Sequence, residues 1–246
     1  MQEILEIIEV KKRDFAELPL FEFMQDVSIH PIKRLSFAPC MAHFIMSFSD
    51  LNKYVFRDNL NTSRIQKVVN QYTYEDDNHW PWFIQDIENL GLNNYGNFTT
   101  ALTSIWGEET RITRQISYQI AGYTFQADPI VKLIVIQVLE AAAEVFFNIS
   151  RQISVEIEQI AGKEYLFFGE VHVHEETEHV ISMPKEKSLL SEIELTDSQS
   201  HYLKEIVEQT FQTFSEWTYE LLAFAQKHNA IAEENQESSE KMKVCA

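Results

Sequence analysis

The sequence predicts an all-α fold, a single bundle domain of seven or eight helices, on three observations. Of the 246 residues, 45% are hydrophobic, about 110 side chains, which is enough to bury one large core or two small ones and excludes disorder for the bulk of the chain. Gly and Pro total only 12 residues, roughly 5% against an average of about 12%. That leaves too few turn formers for a many-stranded sandwich or barrel. Finally, long segments with apolar residues at helical spacing alternate with short punctuators, and no internal repeat is present.

The elements follow in order. Residues 1–24 are amphipathic but broken near Pro19, and Pro31 marks the next boundary. Over 33–57 the apolar residues Leu35, Phe37, Met41, Phe44, Phe48, Leu51 and Val55 recur every three or four positions, the spacing of a well-buried helix. After the Asn and Asp cluster at 58–61, Thr62 or Ser63 can cap a helix with Ile65, Val68, Val69 and Tyr72 on its apolar face. This helix is expected to run through Glu75 and His79 to Leu90 and to stop at Gly91. Pro81 lies inside it, removes a donor and pushes away the carbonyl of Asp77, so a kink is expected beside His79. A helix over 98–121 comes next. Asp128 and Pro129 then supply an N-cap and a first-turn proline for the most apolar helix, which extends to about residue 160. Beyond Gly162 the expectations are a helix over 165–179, a polar connection containing Pro184, and a last long helix over 198–227 capped by Asp197. The domain then spans 1–228, and the polar segment 229–246, without a core face, reads as a flexible tail.

A net charge of −18 opposes a non-specific hold on nucleic acid or anionic membrane, because phosphate binding needs clustered Lys and Arg. A small-molecule or protein partner is favoured. The longest apolar stretch, 130–147, is interrupted by Lys132, Gln137, Glu140 and Glu144, and the first residues lack the regions of a signal peptide. The expectation is a cytoplasmic protein without a membrane span. Cys40 and Cys245 resemble neither a disulfide framework nor a thiolate metal site. Any metal must be held by His and carboxylate.

Three segments carry that kind of chemistry. In FFGEVHVHEETEHV, a helix of about 100° per residue puts His172, Glu176 and His179 on one face and His174 on the other. Glu176 and His179 have the Glu-x-x-His spacing by which helix bundles hold dinuclear iron or manganese. The zinc-protease pattern needs histidines four apart, whereas His174 and His179 are five apart. In YTYEDDNHWPWF, Glu75 and His79 stand at i and i+4 among bulky apolar residues, where an acid and an imidazole are costly to bury unless paired or bound to metal. Asp76 with His79 is an alternative pair. In VIQVLEAAAEVFFNI, Glu140 and Glu144 are the only acids in an apolar run, again at i and i+4. Six oxygen and nitrogen ligands on three helices suit two ions of near-octahedral geometry, iron or manganese rather than zinc.

In the order and types of these residues the chain resembles the haem-oxygenase-like dinuclear iron oxidases and oxygenases. Glu-x-x-x-His comes first, then a lone Glu in an apolar helix, then FG-x-x-His-x-x-x-Glu-x-x-His about thirty residues later. The family includes the chlamydial death-domain-associated protein and shares its multi-helical fold with the TenA proteins and haem oxygenase. The likeness covers roughly residues 35–179. It implies that Glu75, His79, Glu140, His172, Glu176 and His179 bind two iron ions, or iron with manganese, with dioxygen as co-substrate and an unidentified small molecule as substrate. Asp76 and Glu144 are the alternatives to Glu75 and Glu140. The interval from Glu140 to the FFG motif matches the family and favours Glu140, leaving Glu144 beside the ligands or paired with a nearby Arg or Lys. The carboxylate of the last motif is often Asp in the family and is Glu176 here. Dimers are common in the fold, so a homodimer is a further expectation.

Other functions make different demands. TenA-like hydrolysis of an aminopyrimidine needs a core nucleophilic cysteine, and neither Cys40 nor Cys245 is placed for it. Haem oxygenase chemistry needs a ligating N-terminal histidine and a glycine-rich distal helix, which six scattered glycines do not supply. A non-enzymatic helical interaction protein has no use for six metal-type ligands in register. His30, His43, His201 and His228 fall outside the three segments and read as structural or surface residues.

Overall fold

The computed structural model describes residues 1–93, 96–173, 190 and 192–244, with side chains through 231. The described residues are mostly helical and no strand occurs among them, so the protein is an all-α bundle in one domain. Among these residues no helix is long and apolar enough to cross a membrane.

The bundle is arranged around α9 (Pro129–Ala161), whose ends fall where their punctuation puts them. Asp128 accepts the N–H of Ile130 (2.9 Å), Pro129 occupies the first turn, and Gly162 closes the helix at φ 65°. From Ile130 to Ala142 almost every side chain of α9 is buried, because helices cover it on all sides. These are α1 (Gln2–Ala16), α2 (Pro19–Gln25), α3 (Pro31–Arg34), α5 (Arg64–Glu75), α8 (Arg111–Thr124) and α10 (Asp197–Val244). Lys132 is buried among them, and its ammonium donates to the carbonyl of Phe56 (3.1 Å). The first and last helices lie side by side. Glu3 pairs with Lys204, Lys11 with Glu208, and the rings of Phe15 and Phe211 are 6.1 Å apart.

Several boundaries differ from the expectations. The segment 33–57 is not one helix but the end of α3, a 3-10 turn (Ala38–Met41) containing Pro39, α4 (Ala42–Leu51) and a π turn (Asn52–Phe56). Apolar density marks burial there, not helix continuity. The expected helix over 98–121 is two, α7 (Phe98–Trp106) and α8, parted at Gly107. Arg114 donates to the carbonyls of Ile105, Gly107 and Thr110 (2.8–3.0 Å), so the end of α7 is satisfied without helix continuation. Glu220 of α10 accepts the N–H groups of Ile112 and Thr113 (2.6 and 2.8 Å) and caps α8 from outside.

At the last helix the cap is Thr196, not Asp197. Its hydroxyl accepts the N–H of Gln199 (3.3 Å), and the Gln199 side chain accepts the N–H of Thr196 (3.0 Å), a reciprocal capping box. The backbone of α10 stays helical to Val244, through the segment read from sequence as a polar tail. Its Ala, Glu, Gln, Lys and Met are good helix formers, and a helix already nucleated needs no core face to propagate.

Candidate metal centre

The expected kink beside His79 is a complete break. α5 ends at Glu75, residues 76–79 form a turn, and His79 is the N-cap of α6 (Trp80–Asn89). The cause is tertiary. The carbonyl of Thr73, which a continuing helix would spend on Asp77, accepts from the Arg57 guanidinium (2.6 Å). Asp77 itself is pinned outward, its carboxylate by Arg57 (2.8 Å) and its carbonyl by the hydroxyl of Ser49 (2.7 Å) and by Lys53 (3.4 Å). Pro81 then sits in the first turn of α6, where its missing N–H costs nothing. Glu75 and His79 therefore do not share a helix face.

The turn brings Asp76 and His79 to the wall of a cavity of about 110 Å3. Glu140 from α9 and His172 also line it; the rest is mainly apolar, including Phe15, Phe44, Phe48, Leu139, Phe147 and Trp217. Among the described residues, neither Lys nor Arg lines it. The His79 ring stacks on Trp82 (4.8 Å, 12° between planes) and meets the His172 ring edge-on at 4.7 Å. His172 is 3% exposed, gripped by the rings of Phe147 (4.0 Å) and Phe167 (5.0 Å). Its Nδ1 lies 3.0 Å from the carbonyl of Phe167, and a carbonyl can only accept, so Nδ1 carries the proton. A neutral ring held in this way has its lone pair on Nε2.

Of the alternative acids, Asp76 lines the cavity, and Glu75 beside it accepts from the Gln71 amide (3.1 Å). Glu140 lines the cavity, and Glu144, one turn on, is at the surface in an ion pair with Lys12 of α1. Glu176 and His179, with His174, lie outside the described residues. Among the described residues no group of three or more His, Cys, Asp or Glu side chains stands ready to hold an ion. The convergence is of two imidazoles and two carboxylates around one chamber.

The helix expected over 165–179 starts later: residues 166–169 are bent, 170–173, with His172, are helical, and 174–179 lie outside the described residues. Asp86 on α6 explains the bend: its fully buried carboxylate accepts the N–H groups of Leu166 (3.0 Å), Phe167 and Phe168 (both 2.9 Å). On the other side, the hydroxyls of Ser150 and Ser154 on α9 donate to the carbonyl of Phe168 (3.1 and 2.9 Å). Gly169 completes the turn, for a Cβ there would stand 2.0 Å from the carbonyl oxygen of Tyr165. Burial pushes the Asp86 carboxyl up to about 6 against the pull of its three donors. Sequence reasoning passed over Asp86, Ser150 and Ser154. The available signal was one acid at a core-facing position of α6 and two serines one turn apart on an apolar helix.

Neighbouring acids affect the chamber most clearly at Asp76. Burial, and then the neighbouring carboxylates of Glu75 and Asp77, push the Asp76 carboxyl from 3.8 up to about 7. Asp76 is protonated in the folded state at pH values where the unfolded chain has already lost that proton. The contribution of Asp76 to the stability of the metal-free fold is therefore present below pH 3.8 and is lost as pH rises through about 7. Asp76→Asn is expected to flatten this slope in urea titrations run from pH 4 to pH 8 and to be the more stable protein at the upper end; an unchanged slope contradicts the assignment.

Cys40 is buried within 3.9 Å of a Glu220 carboxylate oxygen, and burial followed by that charge pushes its thiol far above the ordinary range. A thiol so held is no nucleophile at neutral pH. His43 packs against Trp106 and Tyr118, and His228 stacks on Phe224. Comparison of the chain with protein-family models and with curated proteins finds no match.

Proposed function

We propose that the protein is an O2-dependent oxidase or oxygenase with a non-haem dinuclear metal centre, iron with iron or iron with manganese, acting on a small apolar molecule. The observation that carries this reading is the meeting of Asp76, His79, Glu140 and His172, from three separate stretches of chain, at the wall of one apolar cavity. The donor set fits the ions: oxygen and imidazole nitrogen without thiolate suit iron or manganese, and a cation would offset the burial and neighbouring charge that push the Asp76 carboxyl up. Glu176 and His179 complete the set in this reading.

When bound, the metal pair supplies dioxygen binding and reduction. The chain's own residues do the rest. Trp82, Phe147 and Phe167 fix the planes of the two imidazoles, the Arg57–Asp77 clamp holds the turn that carries Asp76, and the apolar lining excludes water. The lining of the cavity is mainly apolar, which favours a largely apolar substrate.

Protein purified after growth with iron is expected to contain up to two Fe(II) per chain and to consume oxygen when reduced, and His172→Ala to lose metal and reaction together. Metal analysis followed by stopped-flow absorption after mixing with oxygen tests this. One tightly bound zinc per chain with no oxygen reaction defeats it.

A further inference from the structure

We propose that Asp86 is a positioning residue for His172, acting through a single shared peptide group. The amide between Phe167 and Phe168 is held at both ends. Its N–H, that of Phe168, donates to Asp86 Oδ2 (2.9 Å), and its carbonyl, that of Phe167, accepts from His172 Nδ1 (3.0 Å). Carboxylate, peptide and imidazole thus form one chain of hydrogen bonds. A charged acceptor on the N–H side polarises the amide and makes its carbonyl a stronger acceptor. The effect on the ring is to lock the tautomer with hydrogen on Nδ1, so that Nε2 holds the lone pair a metal needs. A carboxylate bonded directly to a ligating histidine does the same. Here one peptide stands between them.

Geometry adds a second consequence. Asp86 and His79 belong to the same short helix, seven residues apart, with His79 at its N-cap. α6 therefore carries one imidazole itself and, through Asp86, fixes the backbone that carries the other. The 4.7 Å separation of the two rings is set by one rigid element rather than by two independent ones. A simple packing acid would need none of this. Asp86 has no cationic partner among its hydrogen bonds, and all three go to the backbone leading into His172.

The inference rests on His172 being a metal ligand, and its test is divided so that the two claims fail separately. In metal-free protein, nitrogen-15 NMR of the His172 ring, assigned by its loss in His172→Phe, should show the Nδ1–H tautomer. Asp86→Asn, which keeps the shape and removes the charge, should give a mixture of tautomers. Titration with Co2+ should then show affinity lowered about 10–100-fold in Asp86→Asn, with a shifted ligand-field spectrum. Should that variant not fold, Asp86→Glu is measured instead: it restores the charge with a displaced acceptor and should keep the tautomer while shifting the spectrum. Asn89→Ala loosens the contact of α6 with residue 164 (3.2 Å) but leaves the Phe167 peptide alone. It should lower stability without touching the tautomer. An Asp86 variant that is merely less stable, with wild-type tautomer, affinity and spectrum, overturns the proposal. Wild-type protein that binds no Co2+ yet shows the tautomer change with Asp86→Asn overturns the metal reading and leaves the positioning role standing.

Discussion

Glu140→Ala is expected to abolish metal-dependent oxygen consumption with the helical fold kept, whereas Glu144→Ala should leave at least one metal ion bound. The two acids are one turn apart, but they face different surroundings. Glu140 lines the chamber with Asp76, His79 and His172; Glu144 is at the surface, paired with Lys12. Loss of Lys12–Glu144, an exposed pair, should cost little. Metal analysis, oxygen uptake and thermal unfolding of both variants decide the matter, and metal lost only from the Glu144 variant would place the centre one turn further along α9.

Gly169→Ala should be nearly as damaging, from a single added methyl group. That Cβ would lie 2.0 Å from the Tyr165 carbonyl oxygen, a backbone atom already fixed within the 165–169 turn. Something must shift. The turn is held on both sides, by Asp86 and by Ser150 and Ser154, so relief must come at their expense. Overpacking of this kind costs about 3 kcal/mol, readable in urea unfolding. The displaced segment carries His172, so metal affinity should fall together with stability. A variant with wild-type stability and affinity would show that the turn is looser than its contacts imply.

Much of the architecture was legible because its signals are local. Asp128 and Pro129 at one end and Gly162 at the other delimit α9 by capping chemistry that needs no knowledge of the rest of the fold. Ser63 caps α5 in the same way, accepting from Gln66 (3.2 Å). What was not legible depends on partners distant in sequence. Nothing near Asp77 announces that Arg57, Ser49 and Lys53 will tie it down and break the helix. The face arithmetic that joined Glu75 to His79 assumed a helix that these contacts forbid. At the site, residue chemistry picked out His79 and His172, which meet at the cavity, and left Glu75 or Asp76 and Glu140 or Glu144 undecided; Asp76 and Glu140 line the wall, and Glu176 and His179 lie outside the described residues. Asp86 stayed hidden, since a lone acid in an amphipathic helix has no pattern of its own until residues 166–168 fold over it.

The pairing of the first helix with the last bears on the order in which the molecule can be built. Ile4, Ile8 and Phe15 are buried, and α1 reaches α10 through Glu3 with Lys204 and Phe15 with Phe211, contacts about two hundred residues apart in the chain. α1 is therefore synthesised long before its neighbour exists. Its apolar face must wait, against α9 at best, while the intervening helices emerge. Closing such distant contacts is slow and leaves greasy surface open to other nascent chains in the interval. The bundle is thus closed only when α1 and α10 meet, and the chamber, walled by Phe15 on one side and Trp217 on the other, is complete only then.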